Sequence, residues 1–177
     1  WLPGADGRQH FDPTGLVKGW AVEQAFTALL ADLRKLGPHD ALICAGGDIA
    51  VACSRTDTPS WVVAVEDPRD RSRSLRSLEL RTGAVATSGT AARGKHIVDP
   101  ATGGAADGLL SATVIGPKLT WADVYATAAF VKGPAALPWI ATLSDHAGVL
   151  VGTDGAVSTV AAMTAQTTRW SSLASTV

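Results

Sequence analysis

Two neighbouring glycines followed by an aspartate, in the sequence A-G-G-D at residues 45–48, constrain the fold of this chain more than any other feature. They separate two short apolar runs, a pattern typical of two strands joined by a tight turn. Because glycine tolerates positive φ and allows close approach of the main chain, the amides of Gly46 and Gly47 are suited to face the oxygens of an anion. Asp48 would then orient a polar group or a metal-bound water. An ordinary hairpin turn is the alternative interpretation.

A helix is predicted before this turn. From Trp20 to Leu36, apolar residues recur at steps of three and four, and Gly37 and Pro38 end the pattern. This spacing predicts an amphipathic helix with one face packed against the strands that follow.

The rest of the chain mixes strands and helices without strict alternation. Apolar runs predict strands at residues 41–44, 49–53, 61–65, 77–80, 84–87 and 109–115. Helices are predicted at 120–132, capped by Thr120, and at 135–145 despite Pro138, and T-D-G at 153–155 indicates a hairpin. The polar residues 68–74 are expected to form an exposed connection. The pattern therefore predicts an α+β fold, with a largely antiparallel sheet and packed helices.

Composition limits the functions that need to be considered. A chain of 177 residues with 46% hydrophobic and 18% charged residues is expected to form a single compact domain over residues 1–177. A net charge of −1 provides no general attraction to nucleic acid or to an anionic membrane, so any recognition of phosphate must be local. Cys44 and Cys53 are expected to be buried free thiols, because two cysteines do not make a disulfide framework.

A lysine lies where the first helix begins. The sequence D-P-T-G-L-V-K-G at residues 12–19 places Lys18 and several backbone amides near a helix N-terminus, which favours an anion. Lys18 is therefore a candidate to neutralise a phosphate. The alternative is that Asp12 or Thr14 caps the helix while Lys18 extends along the surface.

A second polar segment follows a predicted strand. T-S-G-T at residues 87–90 precedes Arg93, Lys95 and His96, and D-P-A-T-G follows at 99–103. This segment is a candidate ligand-facing loop. His96 is its candidate for proton transfer, because histidine exchanges protons near neutral pH, although a structural role is the alternative.

Asp123 and Thr127 are four residues apart in a predicted helix, so their side chains share one face. A carboxylate, a hydroxyl, a backbone carbonyl and substrate phosphates make the oxygen-rich shell that magnesium prefers, whereas no histidine or thiolate cluster supports zinc. The alternative is a polar stripe on an exposed helix.

Five segments in order resemble the successive motifs of the ApbE-type FAD:protein FMN transferases. They are D-P-T-G-L-V-K-G-W-A from residue 12, A-G-G-D-I from 45, A-T-S-G-T from 86, H-I-V-D-P-A-T-G from 96 and A-D-V-Y-A-T-A from 122. The resemblance extends from about Phe11 to the C-terminal hairpin. It implies an ApbE-like, T-fold-related architecture and a chain that corresponds to the C-terminal portion of such a transferase, without the family's N-terminal portion.

The resemblance implies a magnesium-dependent enzyme that transfers FMN from FAD to a threonine hydroxyl of an acceptor flavoprotein and releases AMP. It assigns the metal to Asp123, Thr127 and the carbonyl of Gly15. It further implies that His96 deprotonates or orients the acceptor hydroxyl. Asp48 is, with His96 and Asp123, an implied catalytic residue, and with Thr87 and Ser88 it would shape the flavin pocket. The implied contacts with FAD are Asp12, Lys18 and the backbone of Ile97, beside the glycine turn of Gly46 and Gly47.

Two alternatives to this activity stay open. With water as the nucleophile the chain would be an FAD pyrophosphatase giving FMN and AMP, and without catalysis it would be a flavin-binding module. The implied partner is a flavoprotein with a D-x-x-S/T-G-A/S-T type motif, and a companion N-terminal segment or self-association is expected. No apolar run is long enough to cross a bilayer and residues 1–10 lack a signal pattern, so we expect a soluble chain, with its compartment left open.

Overall fold

The computed structural model describes residues 2–3, 8–10, 12–91, 94, 96–161 and 169–171. In chain order its strands and α-helices are β1 (Leu2–Pro3), β2 (Gln9–His10), α1 (Thr14–Leu33), β3 (Asp40–Ala45), β4 (Asp48–Cys53), β5 (Trp61–Asp67), β6 (Asp70–Leu80), β7 (Thr82–Gly89), β8 (Leu109–Gly116), α2 (Leu119–Lys132), α3 (Ala136–Ile140), β9 (Ala147–Gly152), β10 (Val157–Ala161) and β11 (Arg169–Ser171). Short 3₁₀ helices follow α1 at Arg34–Leu36 and precede α3 at Gly133–Ala135.

The described strands form three sheets. The largest has six strands in the order β10-β9-β8-β7-β4-β3, and every adjacent pair in it is antiparallel. A three-stranded sheet has the order β11-β6-β5, and β1 pairs with β2. The predicted α+β fold with a largely antiparallel sheet is confirmed.

The six-stranded sheet carries a helix layer on one face. Small residues of the sheet, such as Ala84, Ala86 and Ala112, are fully buried against small residues of α2, such as Ala122 and Ala126. Because alanine side chains are short, α2 lies close to the sheet along its whole length. This close packing brings residues of α2 within reach of β4 and β7.

The opposite face of the same sheet packs against the three-stranded sheet. Side chains alternate between faces along a strand, so Val51, Val85 and Ile115 point away from the helices. They pack with buried residues of β5 and β6, including Leu78 and Leu80, in a second core cluster. The molecule therefore has a helix layer, a central sheet and an outer sheet.

The first helix is longer at its start than its apolar pattern predicts. It begins at Thr14 and not at Trp20, and it ends at Leu33 before a 3₁₀ turn. Within the predicted apolar face only Phe26 is buried, whereas Leu29 and Leu36 are 42% and 85% exposed. The periodicity identified the helix correctly but overestimated how much of its apolar face is covered.

Two local predictions are wrong in detail. The helix predicted at 135–145 is α3 alone, because the chain turns after Ile140 and Asp145 adopts a left-handed φ of 60°. The predicted connection at 68–74 is largely strand, since β6 starts at Asp70 in an irregular hairpin with β5. The charged side chains at the start of β6 are exposed. This part of the strand therefore lacks the alternation of apolar and polar residues by which strands are identified in a sequence.

Other local predictions can be compared directly. The turn of residues 153–155 joins β9 and β10 as predicted, and its Gly155 has a φ of 83°. Both cysteines are unpaired, but Cys44 is exposed and Cys53 only half-buried, contrary to the expectation of buried thiols. None of the described helices combines the length and the hydropathy that crossing a membrane requires.

A glutamate of α1 caps α2. Thr120 does not cap its own helix, because α2 begins one residue earlier at Leu119. Instead, Glu23 Oε2 accepts hydrogen bonds from the Thr120 N–H at 2.8 Å and from the Thr120 hydroxyl at 2.6 Å. Glu23 therefore satisfies an N–H group of the first turn of α2 and fixes the two helices relative to each other.

We expect Glu23→Ala to lower the free energy of unfolding by about 1 kcal/mol, because both bonds to Thr120 are lost. Urea denaturation measures this change. Gln24→Ala is the control, since Gln24 is an exposed neighbour on the same helix. Equal stability of the two variants would contradict the capping role.

Candidate functional site

The site lies where α1 crosses α2. The two helices run in opposite directions, so Gly15 lies beside Thr127 and Gly19 lies beside Asp123. The Gly19 N–H donates a hydrogen bond to Asp123 Oδ2 at 2.9 Å. A Cβ on Gly19 would lie 2.8 Å from Asp123 Cβ, so the absence of a side chain at this position permits the close contact of the helices.

Lys18 joins two buried carboxylates from different elements. Its Nζ lies 2.6 Å from Asp48 Oδ2, on β4, and 3.7 Å from Asp123 Oδ1, on α2. Asp48 is 0% exposed and Asp123 is 4% exposed, whereas the Lys18 side chain is 36% exposed. The three side chains form one charged cluster, the Lys18–Asp48–Asp123 cluster, of which only Lys18 has substantial exposed surface.

These contacts resolve two of the alternatives that the sequence left open. Lys18 does not simply extend along the surface, because it is held in the cluster. Asp123 does not belong to an exposed polar stripe, because it is buried. Asp12, by contrast, does stabilise the start of α1: its Oδ1 accepts hydrogen bonds from the N–H and the hydroxyl of Thr14 at 2.9 and 2.6 Å.

Burial disfavours the charged forms of both carboxyl groups in this cluster. Burial raises the pKa of Asp48 to about 6; the neighbouring Lys18 ammonium opposes this shift and the Asp123 carboxylate adds to it. Burial also raises the pKa of Asp123, with Lys18 and the Gly19 N–H acting in the opposite direction. Two carboxylates therefore share one ammonium, which favours the approach of further positive charge.

The raised pKa of Asp48 makes stability depend on pH. Between the ordinary value of 3.8 and the folded value of about 6, the folded state binds this proton more strongly than the unfolded state. The contribution of Asp48 to the free energy of unfolding therefore decreases as pH rises, by up to about 1.4 kcal/mol per pH unit. In EDTA, Asp48→Asn should match the unaltered chain near the acid end and become the more stable protein toward neutral pH. Thermal denaturation at several pH values measures this difference. A difference in melting temperature between the two proteins that stays the same across this pH range would contradict this expectation.

Three oxygen donors lie next to the charged cluster. The Ser88 hydroxyl, on β7, lies 3.0 Å from the Thr127 hydroxyl, and Thr127 contacts Gly15 across the helix interface. In a regular helix the Gly19 N–H would serve the Gly15 carbonyl alone. Here that N–H donates to Asp123, and a carbonyl oxygen has two lone pairs, so the Gly15 carbonyl has capacity for a further partner.

This donor set fits a magnesium ion. In the part of the chain that the structure describes, no three or more His, Cys, Asp or Glu side chains come together as ligands. A cation at this position would therefore depend on one carboxylate, a hydroxyl, a carbonyl and oxygens from the substrate. Hard oxygen donors with few protein carboxylates are the set that magnesium prefers beside phosphates.

An apolar cavity adjoins these oxygen donors. It has a volume of about 540 Å³, and Gly15 and Thr127 form part of its wall. Its remaining lining comes from the start of α1, the loop before β8 and the outer face of α2: Asp12, Pro13, Leu16, Val98, Pro100, Val124, Ala128, Val131 and Lys132. The cavity combines a mainly aliphatic wall with a polar edge, as small-molecule sites generally do.

The glycine turn is a tight hairpin turn. Gly46 and Gly47 join β3 to β4 with φ values of 61° and 94°, which side chains rarely adopt. Both are exposed, and the turn delivers Asp48 to the first position of β4. The hairpin interpretation is thus confirmed. The turn also fixes the position of the Asp48 carboxylate at the start of β4.

The structure does not bring every candidate residue together. Thr87 and Ser88 point to opposite faces of the sheet: the Thr87 hydroxyl lies 2.8 Å from that of Thr113 on β8, away from α2. His96 is exposed, and its Nδ1 lies 3.0 Å from the Gly94 carbonyl oxygen within its own loop. Ile97 packs against the helix-side core. Arg93 and Lys95 lie outside the described residues.

Sequence patterns missed two contributors to the site, Gly19 and Glu23. Their signal was available, because Gly15, Gly19 and Glu23 follow one another at intervals of four and so share one helix face. That face carries two positions without side chains and one carboxylate. Such a stripe is typical of a helix that contacts another helix closely.

The chain matches the model of the ApbE family over residues 3–151. This range contains every candidate residue of the site, from Asp12 to Thr127. It also contains both helices that form the site and all strands of the central sheet except β10 and the last residue of β9.

Named relatives support this match. The FAD:protein FMN transferase of Vibrio cholerae is 30% identical over 135 residues, which are 70% of this chain and 39% of that protein. The FAD:protein FMN transferase of Rhodobacter capsulatus is 34% identical over 133 residues, which are 70% of this chain and 25% of that protein. The chain therefore spans less than half the length of these relatives.

Solved structures agree in fold. The ApbE protein of Thermotoga maritima has a TM-score of 0.73 at 30% identity, over 84% of this chain and 50% of that one. The flavin transferase ApbE of Vibrio cholerae has a TM-score of 0.66 at 27% identity, over 88% of this chain and 52% of that one. The sequence match, the shared fold and the site within the matched residues lead to one conclusion: this chain belongs to the ApbE family.

Proposed function

We propose that this chain carries the catalytic site of an FAD:protein FMN transferase, which moves FMN from FAD to a threonine hydroxyl of an acceptor flavoprotein and releases AMP. The observation that carries the proposal is the Lys18–Asp48–Asp123 cluster, in which Asp123 lies one helical turn from Thr127, a residue that lines the cavity. Two relatives bear the name of this activity. The chain would form one domain over residues 1–177, equivalent to the C-terminal portion of such an enzyme.

The site offers separate places for the two chemically different parts of FAD. Lys18 is the most exposed side chain of the cluster, so its ammonium group would contact a phosphate of the pyrophosphate. The aliphatic wall of the cavity, formed by residues such as Leu16, Val124 and Val131, would receive an apolar ring edge of the flavin. Asp12, Ser88 and the backbone of Ile97 would orient the bound nucleotide, with the glycine turn close to Asp48.

Gly15, Asp123 and Thr127 would hold a magnesium ion through oxygen atoms. When bound, magnesium would offset the charge that develops on the departing AMP. The contribution of the protein is then largely to hold the phosphate and the attacking hydroxyl in line.

The bond changes of the transfer are simple. The acceptor threonine oxygen forms a bond to the phosphorus of the FMN part, the bridging P–O bond of the pyrophosphate breaks, and AMP leaves with that oxygen. The hydroxyl proton passes to a base, for which His96 is the candidate because it is exposed on the loop that contributes Val98 to the cavity. A companion N-terminal segment or a second copy of the chain would complete the flavin contacts.

The test is incubation with FAD and magnesium, with and without an acceptor flavoprotein that carries a D-x-x-S/T-G-A/S-T type motif. Release of AMP together with a gain of one FMN in the mass of the acceptor is the expected result, and EDTA should abolish both. AMP with free FMN, whether or not the acceptor is present, would replace the transferase by an FAD pyrophosphatase. Binding of FAD with no release of AMP would leave a flavin-binding module and overturn the proposed catalysis.

A further inference from the structure

We propose that Asp48 is a positioning residue: it holds the Lys18 ammonium where a phosphate of FAD arrives and keeps it away from Asp123, without itself touching the nucleotide. The inference rests on the proposed function and assigns a division of labour within its site. Lys18 would contact the substrate, whereas Asp48 would act only through Lys18.

Burial supports this division. Asp48 has no exposed surface, and the Lys18 ammonium lies 2.6 Å from its Oδ2, whereas the Lys18 side chain keeps 36% of its surface exposed. A ligand that enters from solvent therefore meets Lys18 before it meets Asp48. Asp48 lies behind it, against the sheet.

The two carboxylates that contact Lys18 belong to different secondary-structure elements. Asp48 is the first residue of β4, directly after the Gly46–Gly47 turn, so its position is fixed by the central sheet. Asp123 belongs to α2 and lies 3.7 Å from the same ammonium. A lysine side chain is long and flexible, so without Asp48 the ammonium would move toward Asp123. That move would withdraw the cation from the phosphate side and block a carboxylate oxygen proposed to hold magnesium.

The net charge of the cluster, taken alone, predicts that replacing Asp48 strengthens FAD binding, whereas the positioning role predicts that it weakens FAD binding. With all three groups ionised, the cluster has two negative charges and one positive charge. Replacement of Asp48 by the neutral, similarly shaped asparagine reduces the net charge from −1 to zero. If only net charge mattered, this change would strengthen the binding of an anionic nucleotide. If Asp48 positions Lys18, the same change weakens it.

The experiment is a double-mutant cycle with Asp48→Asn, Lys18→Met and the double variant, using FAD and FMN as probes in EDTA. Fluorescence titration gives both affinities without catalytic turnover. We expect each single variant to weaken FAD binding by about 10-fold or more, the scale of one charge-assisted hydrogen bond. The double variant should be no weaker than Lys18→Met alone. FMN binding should change much less, because FMN lacks the second phosphate.

Asp67→Asn is the matched control. Asp67 is also a buried aspartate with a cationic partner, Arg69 at 2.8 Å, but it lies at the β5–β6 turn outside the site. It should leave both affinities unchanged. If Asp48→Asn does not fold, Asp48→Ser removes the same charge and completes the cycle.

The outcomes separate this inference from the function on which it rests. Tighter FAD binding by Asp48→Asn, or additive losses in the double variant, would each overturn the positioning role alone. Failure of the unaltered chain to bind FAD, even when magnesium replaces EDTA, would overturn the proposed function and the inference with it.

Discussion

Asp123→Asn should lower the magnesium-dependent release of AMP from FAD by about 100-fold or more while the chain stays folded. The Asp123 carboxylate accepts a hydrogen bond from the Gly19 N–H at 2.9 Å, and the amide oxygen of asparagine preserves that bond. The substitution therefore removes a negative charge without removing the contact between α1 and α2. Its effect should fall on the cation and hardly on the fold.

The measurement is the initial rate of AMP release at saturating magnesium, with thermal denaturation of the same samples. Asp67→Asn serves as the control, because it neutralises a buried aspartate at the end of β5, outside the site. Turnover close to that of the unaltered chain would remove Asp123 from the site. A large loss of thermal stability would instead make its role structural.

Gly19→Ala should destabilise the chain by about 1 to 3 kcal/mol, even though alanine favours helices. The added Cβ would lie 2.8 Å from Asp123 Cβ and 3.1 Å from the Leu119 carbonyl oxygen. Neither atom is the end of a flexible side chain, so the helices must separate. This separation would also draw Asp123 away from Lys18.

Gly15→Ala is the matched control for stability, since it lies one turn earlier on the same helix. A Cβ there would contact Thr127 Cγ2 at 3.6 Å, an ordinary van der Waals distance. We expect it to leave the free energy of unfolding unchanged or to raise it by up to about 1 kcal/mol. Urea denaturation compares the two variants, and equal changes in both would contradict the close-contact role of Gly19.

Periodicity and turn chemistry were sufficient for most of the fold. The hairpin at residues 45–48 was predicted because two glycines separate two apolar runs, and both adopt the positive φ that such a turn requires. The pattern identified the end of β6, at residues 77–80, but failed for its beginning, where Asp70, Arg71 and other charged residues are exposed. It also failed at Asp145, whose left-handed conformation follows from the local path of the chain and not from apolar spacing.

The candidate site was only partly visible in the sequence. The spacing of Asp123 and Thr127 correctly placed both side chains on one helix face. The burial of Asp123 was missed, because it depends on the close approach of α1 at Gly19. The pairing of Lys18 with Asp48 was also beyond sequence spacing, since it joins a helix and a strand thirty residues apart only after the sheet and helices have packed.

The most direct test of a metal-assisted FAD site is an equilibrium titration of FAD into the chain with and without magnesium, repeated for Asp123→Asn. We predict that magnesium tightens FAD binding to the unaltered chain and has little effect on the variant, because Asp123 is proposed to connect the cation to the nucleotide. FAD binding that responds equally to magnesium in both proteins, or in neither, would contradict a metal-assisted FAD site between α1 and α2.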